Sequence, residues 1–144
     1  MLTGELKSCL RQAFQQARAA RHELLTTEHL LLGMLEAPAV RALLRRCGAD
    51  AERLAAELRP QAEANTVPLL PGEARPTLPQ HAVERVLQRA VYQVTAAGRT
   101  DVGALHVLVA IFGEPHSHAA LLLERSGVTR QAVLDELAGA SPQA

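Results

Sequence analysis

The chain has 144 residues, 48% of them apolar and 21% charged, and its fifteen basic and fifteen acidic side chains cancel. That balance suits a globular protein with a real core and argues against disorder, while zero net charge removes the electrostatic footprint that nucleic acid or an anionic membrane would require. Phe14, Tyr92 and Phe112 are the whole aromatic complement, too small for base stacking, and Cys9 and Cys47 are too few for a disulfide framework.

A first helix is expected over residues 3–21, where Leu6, Cys9, Leu10, Ala13, Phe14, Ala17 and Ala20 recur at the helical period and Thr3 can cap the start. Arg18 to Glu23 then forms a polar turn. The second helix opens after Thr26, whose hydroxyl can accept a first-turn amide, and Glu28 favours the positive end of the helix dipole. It stops near Glu36, because Pro38 cannot continue it. Pro38 begins a third helix bearing Val40, Leu43, Leu44 and Cys47, with Gly48 as a left-handed stop. Asp50 caps a fourth helix carrying Leu54 and Leu58, which Pro60 is expected to bend or end. Between Thr66 and Gln80, Pro68, Pro71, Gly72, Pro76 and Pro79 crowd together, so this stretch reads as an extended connector without regular structure.

The fifth helix carries Val83, Val86, Leu87, Ala90, Val91, Val94 and Ala97 and is closed by Gly98. A sixth runs from about Ala104 to Phe112 and breaks at Gly113-Glu114-Pro115; a seventh ends at Gly127. Thr129 caps an eighth bearing Val133, Leu134 and Leu137. Ser141-Pro142-Gln143-Ala144 reads as the start of a linker.

The text repeats itself. His106 stands 77 residues after His29, and at that offset Ala13, Gln16, Leu31 and Pro38 meet Ala90, Gln93, Leu108 and Pro115. Beyond the prolines the offset becomes 79, and Leu43, Leu44, Arg46, Gly48, Glu57 and Leu58 meet Leu122, Leu123, Arg125, Gly127, Glu136 and Leu137. An echo of this length marks a tandem repeat. The fold class that follows is all-α, with eight helices arranged as two four-helix repeats about an approximate two-fold. Repeat 1 covers about 1–65, the connector 66–80 and repeat 2 about 81–139, forming one domain over 1–140. Helices this short are unstable alone. The stretches around Leu30–Leu35 and Val107–Phe112 are apolar nearly all round and belong in the shared interior.

Chemistry is mostly missing. Lys7 is the only lysine and no glycine-rich loop precedes it, so no nucleotide-hydrolysing motif and no enzyme is read here. Cys9 and Cys47 lie on apolar helical faces and suit structural roles. His116 and His118 are two apart in a loop and His22 adjoins Glu23, but no zinc spacing emerges, so neither metal nor cofactor is expected. His29 and His106 share one place in the two repeats, which suits a packed, hydrogen-bonded histidine. The polar features read as exposed are Arg21-His22-Glu23 with Thr26 and Glu28, and Pro76-Thr77-Leu78 in the connector. The N-terminus has no basic region followed by a long apolar run, and the longest apolar stretches are half a membrane span. A soluble, cytoplasmic protein that holds another protein is the expectation; a histidine-based metal enzyme and a helical nucleic-acid binder are the rivals.

Arg21-His22-Glu23, Thr26-x-Glu28-His29-Leu30-Leu31-Leu32, Pro76-Thr77-Leu78, Arg85-Val86-Leu87-Gln88-Arg89-Ala90-Val91 and Val107-Leu108-Val109-Ala110-Ile111-Phe112 together resemble the N-terminal domain of the Clp/Hsp100 unfoldases, nearest the ClpA branch. The resemblance runs from Met1 to about Leu137. It implies the double Clp-N fold and a mobile, non-catalytic docking domain on a hexameric AAA+ ring that feeds the ClpP peptidase. Its partners would be a ClpS-type adaptor, which delivers substrates with destabilising N-terminal residues, and the substrate proteins themselves; the isolated domain would be a monomer. Carried over by position, Glu23, Glu28, Thr77, Arg85 and the adjoining His22 would face the adaptor. In the related ClpC branch a glutamate in each repeat helps receive phosphoarginine. Here Glu28 keeps that acid and Leu105 replaces its mate. A ClpC-like or free-standing domain that binds other adaptors or phosphoarginine-tagged proteins is the alternative the resemblance leaves.

Overall fold

The computed structural model describes residues 1–140, so the linker reading of Ser141–Ala144 lies outside the described residues. Among them are eight helices and two short strands. In α1, Gly4–Ala19, Thr3 Oγ1 accepts the Leu6 amide at 3.1 Å, and Leu6, Cys9, Ala13 and Ala17 form the buried stripe. The helix is shorter than the 3–21 reading, and Ala20 is an exposed cap residue rather than part of the apolar face. Then come α2, Thr27–Met34, and α3, Pro38–Arg46, with Pro38 at its first turn. In α4, Ala51–Ala64, Asp50 Oδ1 accepts the Glu52 and Arg53 amides at 2.9 and 3.3 Å. Pro60 sits inside α4 and does not end it. The carbonyl that loses its partner there belongs to Ala56; Ala56 and Pro60 are both exposed, so water can satisfy the freed group.

The second half holds α5, His81–Ala96, α6, Ala104–Ile111, α7, His118–Arg125, and α8, Arg130–Ala140. The repeat seen in the sequence is also a repeat of bonds. Ala20 N donates to Gln16 O and Ala97 N to Gln93 O; His22 N donates to Ala17 O and Arg99 N to Val94 O; Ala49 N donates to Leu44 O and Val128 N to Leu123 O. Gly48 and Gly127 end α3 and α7 with φ of +71° and +103°, a region that costs side chains dearly.

The inner elements are α2 and α6. Every α6 residue except His106 is buried, and every α2 residue except Leu32. Helix α1 packs chiefly on α2 and α5 on α6, while α2 also touches α5, α6 and α7, so the halves share one apolar core. Gly33 makes the α1–α2 crossing possible: a Cβ there would stand 2.6 Å from the Cys9 carbonyl oxygen. This burial is the main stabilising term, above all for α2 and α6, which have only eight residues each.

The connector departs from the sequence reading. Strand β1, Leu24–Leu25, pairs in parallel with β2, Leu78–Pro79. Leu78 N donates to Glu23 O at 3.1 Å and Gln80 N to Leu25 O at 2.9 Å, so the ladder needs no donor from Pro79. On the other edge of the same turn, Glu23 N donates to Val67 O at 2.8 Å and Leu69 N to Arg21 O at 2.7 Å. The connector therefore grips the α1–α2 turn from both sides. A reciprocal ladder joins the chain start to the second repeat: Thr3 N donates to Val102 O at 2.9 Å and Val102 N to Met1 O at 2.7 Å. Each repeat thus lends the strand before its first helix to the turn of the other. Two-residue strands carry no periodicity, which is why the pattern gave no sign of them.

Candidate functional site: a pinned polar turn beside a polar cleft

The α1–α2 turn is built around two hydrogen-bonded imidazoles. Thr26 N donates to His29 Nδ1 at 2.9 Å, which makes Nδ1 the acceptor and leaves the ring proton on Nε2. His29 Nε2 lies 2.8 Å from His22 Nδ1, so the His29 N–H donates and His22 Nδ1 accepts. The rings meet edge to face, their centroids 5.0 Å apart. Thr26 Oγ1 accepts the His29 amide at 3.3 Å and completes a reciprocal cap on α2. Burial, and then the neighbouring His22 ring, lower the His29 pKa to about 4, so it is neutral at pH 7.

Outside this pair the turn is tied by charge. Arg75 Nη1 donates to Glu23 Oε1 at 3.1 Å and Arg75 Nε to Glu73 Oε2 at 2.8 Å. Glu73 Oε1 accepts the Leu70 amide at 2.7 Å; these bonds hold its carboxyl below the usual carboxylate range, the backbone bond most of all. Arg21, left-handed at φ 57°, reaches the Leu70 and Glu73 carbonyls at 2.7 and 3.1 Å. Thr77 is 6% exposed and spends its hydroxyl on the His22 carbonyl at 2.8 Å. Val67 and Leu78, the strand neighbours of Glu23, are 60% and 57% exposed.

A polar cleft of about 230 Å³ opens between the repeats, lined by Glu28, Asn65, Arg85, Glu114, His116 and His118 among others. Glu28 is 4% exposed and accepts from Asn65 Nδ2 at 3.2 Å. Arg85 forks onto Glu114 at 2.8 and 3.2 Å, and Arg89 Nη2 adds a bond at 3.2 Å. Hydrogen bonding by Arg85 first, supported by Arg89, holds the buried Glu114 carboxyl below the usual range.

Of the residues expected to face an adaptor, His22, Glu23 and Thr77 come together at the turn, and Glu28 and Arg85 meet on the cleft. Exposure differs from the sequence reading: Thr26, Glu28 and Thr77 are buried, because the cap and the connector cover them, while Glu23 and His22 are half-buried and Arg85 is exposed. Sequence reasoning missed Glu114, Arg75, Glu73 and Asn65. An acid just after the apolar α6, facing Arg85 and Arg89 one helical turn apart, was the available hint for Glu114. Arg75 and Glu73 depend on the connector's path, and Asn65 on the packing of α4 against α2, and no local pattern encodes either. Among the described residues no three His, Cys, Asp or Glu side chains converge to hold a metal, and no helix is long and apolar enough to cross a membrane. Burial pushes the Cys9 thiol up to about 11, with Glu5 adding to it, so it stays protonated.

Known proteins share this fold. A "ClpA homolog protein" of Fuscovulum blasticum is 36% identical over 129 residues, which is 89% of this chain and 16% of that protein, so the chain spans about one sixth of the relative's length. The N-terminal domain of Hsp104 from Candida albicans superposes with a TM-score of 0.79 at 14% identity, covering 97% of this chain and 93% of that one. A ClpV N-domain solved in complex with a VipB peptide gives a TM-score of 0.68 at 16% identity, covering 94% and 88%. The profile of the Clp repeat (R) N-terminal domain matches residues 1–140. With that match over nearly its whole length, this chain belongs to the Clp repeat N-terminal domain family.

Proposed function

We propose that this chain is the adaptor- and substrate-docking domain of a ClpA-like AAA+ unfoldase, that it performs no chemistry itself, and that it takes a ClpS-type adaptor on the α1–α2 turn. The cargo would pass to the AAA+ ring and its ClpP peptidase in the same cytoplasmic complex. The supporting observation is the setting of Glu23: a partly exposed carboxylate on a turn pinned at both edges, with exposed Val67 and Leu78 as its strand neighbours. A pre-ordered turn loses little entropy on binding, and a charge at its rim selects partners and speeds encounter more than it adds affinity. Arg85 extends the surface into the cleft, whose wall includes the buried Glu28, while Thr77 and His22 hold the turn in shape. That a ClpV N-domain takes a VipB peptide fits a docking role for the fold. The phosphoarginine alternative is weaker, because the place of the second glutamate holds Leu105, 6% exposed and part of the apolar core.

The test is a calorimetric titration of purified ClpS-type adaptor into the wild-type chain and Glu23→Lys. Reversal replaces a solvated attraction with a repulsion of similar size, so affinity is expected to fall up to about tenfold, with an unchanged far-UV spectrum. Equal affinities would remove this face from the reading.

A further inference from the structure

We infer that Arg75 is a built-in competitor for Glu23, so that a partner's lysine or arginine must displace it to dock. This rests on the docking reading above and says what that surface recognises: a basic side chain set among apolar ones.

The Glu23 carboxylate is not empty in the free chain. Arg75, 52 residues away, already donates to it at 3.1 Å. The two contacts of Arg75 are unequal in kind. Its Nε holds Glu73, two residues away, at 2.8 Å, and Glu73 is itself fixed by the Leu70 amide. The bond to Glu23 crosses from the connector to the turn. A guanidinium can therefore keep Glu73, release Glu23 and stay paired. The connector does not come loose when it does so, because Arg21 still grips the Leu70 and Glu73 carbonyls and the strand bonds of Val67, Leu69, Leu78 and Gln80 remain. Glu23 and Arg75 are both well exposed at the side chain, 36% and 54%, so the contact is a weak, screened one. It can tune affinity without blocking the site. The arriving cation meets Val67 and Leu78 on either side of Glu23, and their burial would strengthen the pair by excluding water.

The experiment is a double-mutant cycle read by ClpS-type adaptor titration on wild type, Arg75→Gln, Glu23→Gln and the double variant. Displacement predicts that Arg75→Gln tightens binding two- to fivefold, the span of a solvated ion pair, and that it changes nothing in the Glu23→Gln background. Equal tightening in both backgrounds would mean general charge repulsion and overturns the inference. No change, or weakening, in the Glu23 background overturns it as well, the latter by making Arg75 part of the docking surface. If Glu23→Gln weakens binding while Arg75→Gln is inert, only the competitor fails. If Glu23→Gln leaves affinity unchanged, the docking reading fails and takes the competitor with it.

Discussion

The two repeats share their backbone bonds and differ in what they carry on them. At the head of α2 stand Thr26, Glu28 and His29; at the head of α6 the same positions hold Gly103, Leu105 and His106. Both histidines turn Nδ1 back to the backbone amide three residues before, at 2.9 and 3.0 Å. Only His29 also has a hydroxyl cap and a second imidazole, and only His29 is fully buried. The first repeat's turn is gripped on both edges by the connector, which brings Arg75 and Glu73 to Glu23. The difference teaches that two copies of one unit can keep the same backbone bonds and share one core while only the first carries a hydroxyl cap, a paired imidazole and the connector's charge clamp.

The largest expected effect tests whether the core is one. Leu31 and Leu108 are equivalent and both 0% exposed. Truncating either to Ala should cost about 2–5 kcal/mol of unfolding free energy, the range for buried leucines. Comparable losses in denaturant melts of the two variants are expected if the halves share a core. A loss confined to one of them would make the repeats independent.

Next comes the histidine contrast, through pH. The folded His29 pKa of about 4 lies below the ordinary 6.5, chiefly from burial. The unfolded chain then binds the extra proton between those values, so stability is full above about pH 6.5 and falls as pH drops towards 4. The loss between pH 7.5 and 4.5 should be on the order of 2–3 kcal/mol. In His29→Gln, urea unfolding should lose most of that excess slope. His106 is lowered in the same direction, by burial and then by the Arg99 charge, but has no second ring to satisfy, so His106→Gln should flatten the curve less. Equal flattening would erase the contrast.

The smallest effect concerns the caps. Thr26→Ala should cost about 1 kcal/mol, as for other hydroxyl caps. Gly103→Ser should gain a few tenths, since a hydroxyl cap is slightly better than glycine. A Cβ at Gly103 meets His106 Nδ1 and Thr3 Cγ2 at 3.8 Å and Thr3 Oγ1 at 3.9 Å, all ordinary contacts. A Gly103→Ser melt below wild type would show that the second repeat tolerates no cap there.

The periodic part of the molecule was legible before the coordinates. Most helices follow from an apolar stripe with a cap such as Thr3, Asp50 or Thr129 or a stop such as Gly48 or Gly127, and α3 opens on Pro38; all of these signals act within a few residues. The doubled architecture followed from matching residues at a fixed offset. The site was legible only in part. His22 and Glu23 could be placed at the turn, since a polar run between two helices has nowhere else to go. The burial of Glu28 and Thr77, and the arrival of Arg75 at Glu23 and of Arg85 at Glu114, could not be read. Arg75 and Thr77 reach positions 52 and 55 residues away through a proline-rich path with no period, and Arg85 meets Glu114, 29 residues on, only through the packing of α5 on α6.

By itself, then, the sequence determined eight helices, their order, and the apolar faces that make two repeats into one core, because propensity, capping and hydrophobic period are local. The tertiary structure alone decided which polar groups remain available at the turn. That outcome depends on the two strand exchanges and the connector's charge clamp, whose bonds form only after packing has brought distant segments within reach of each other.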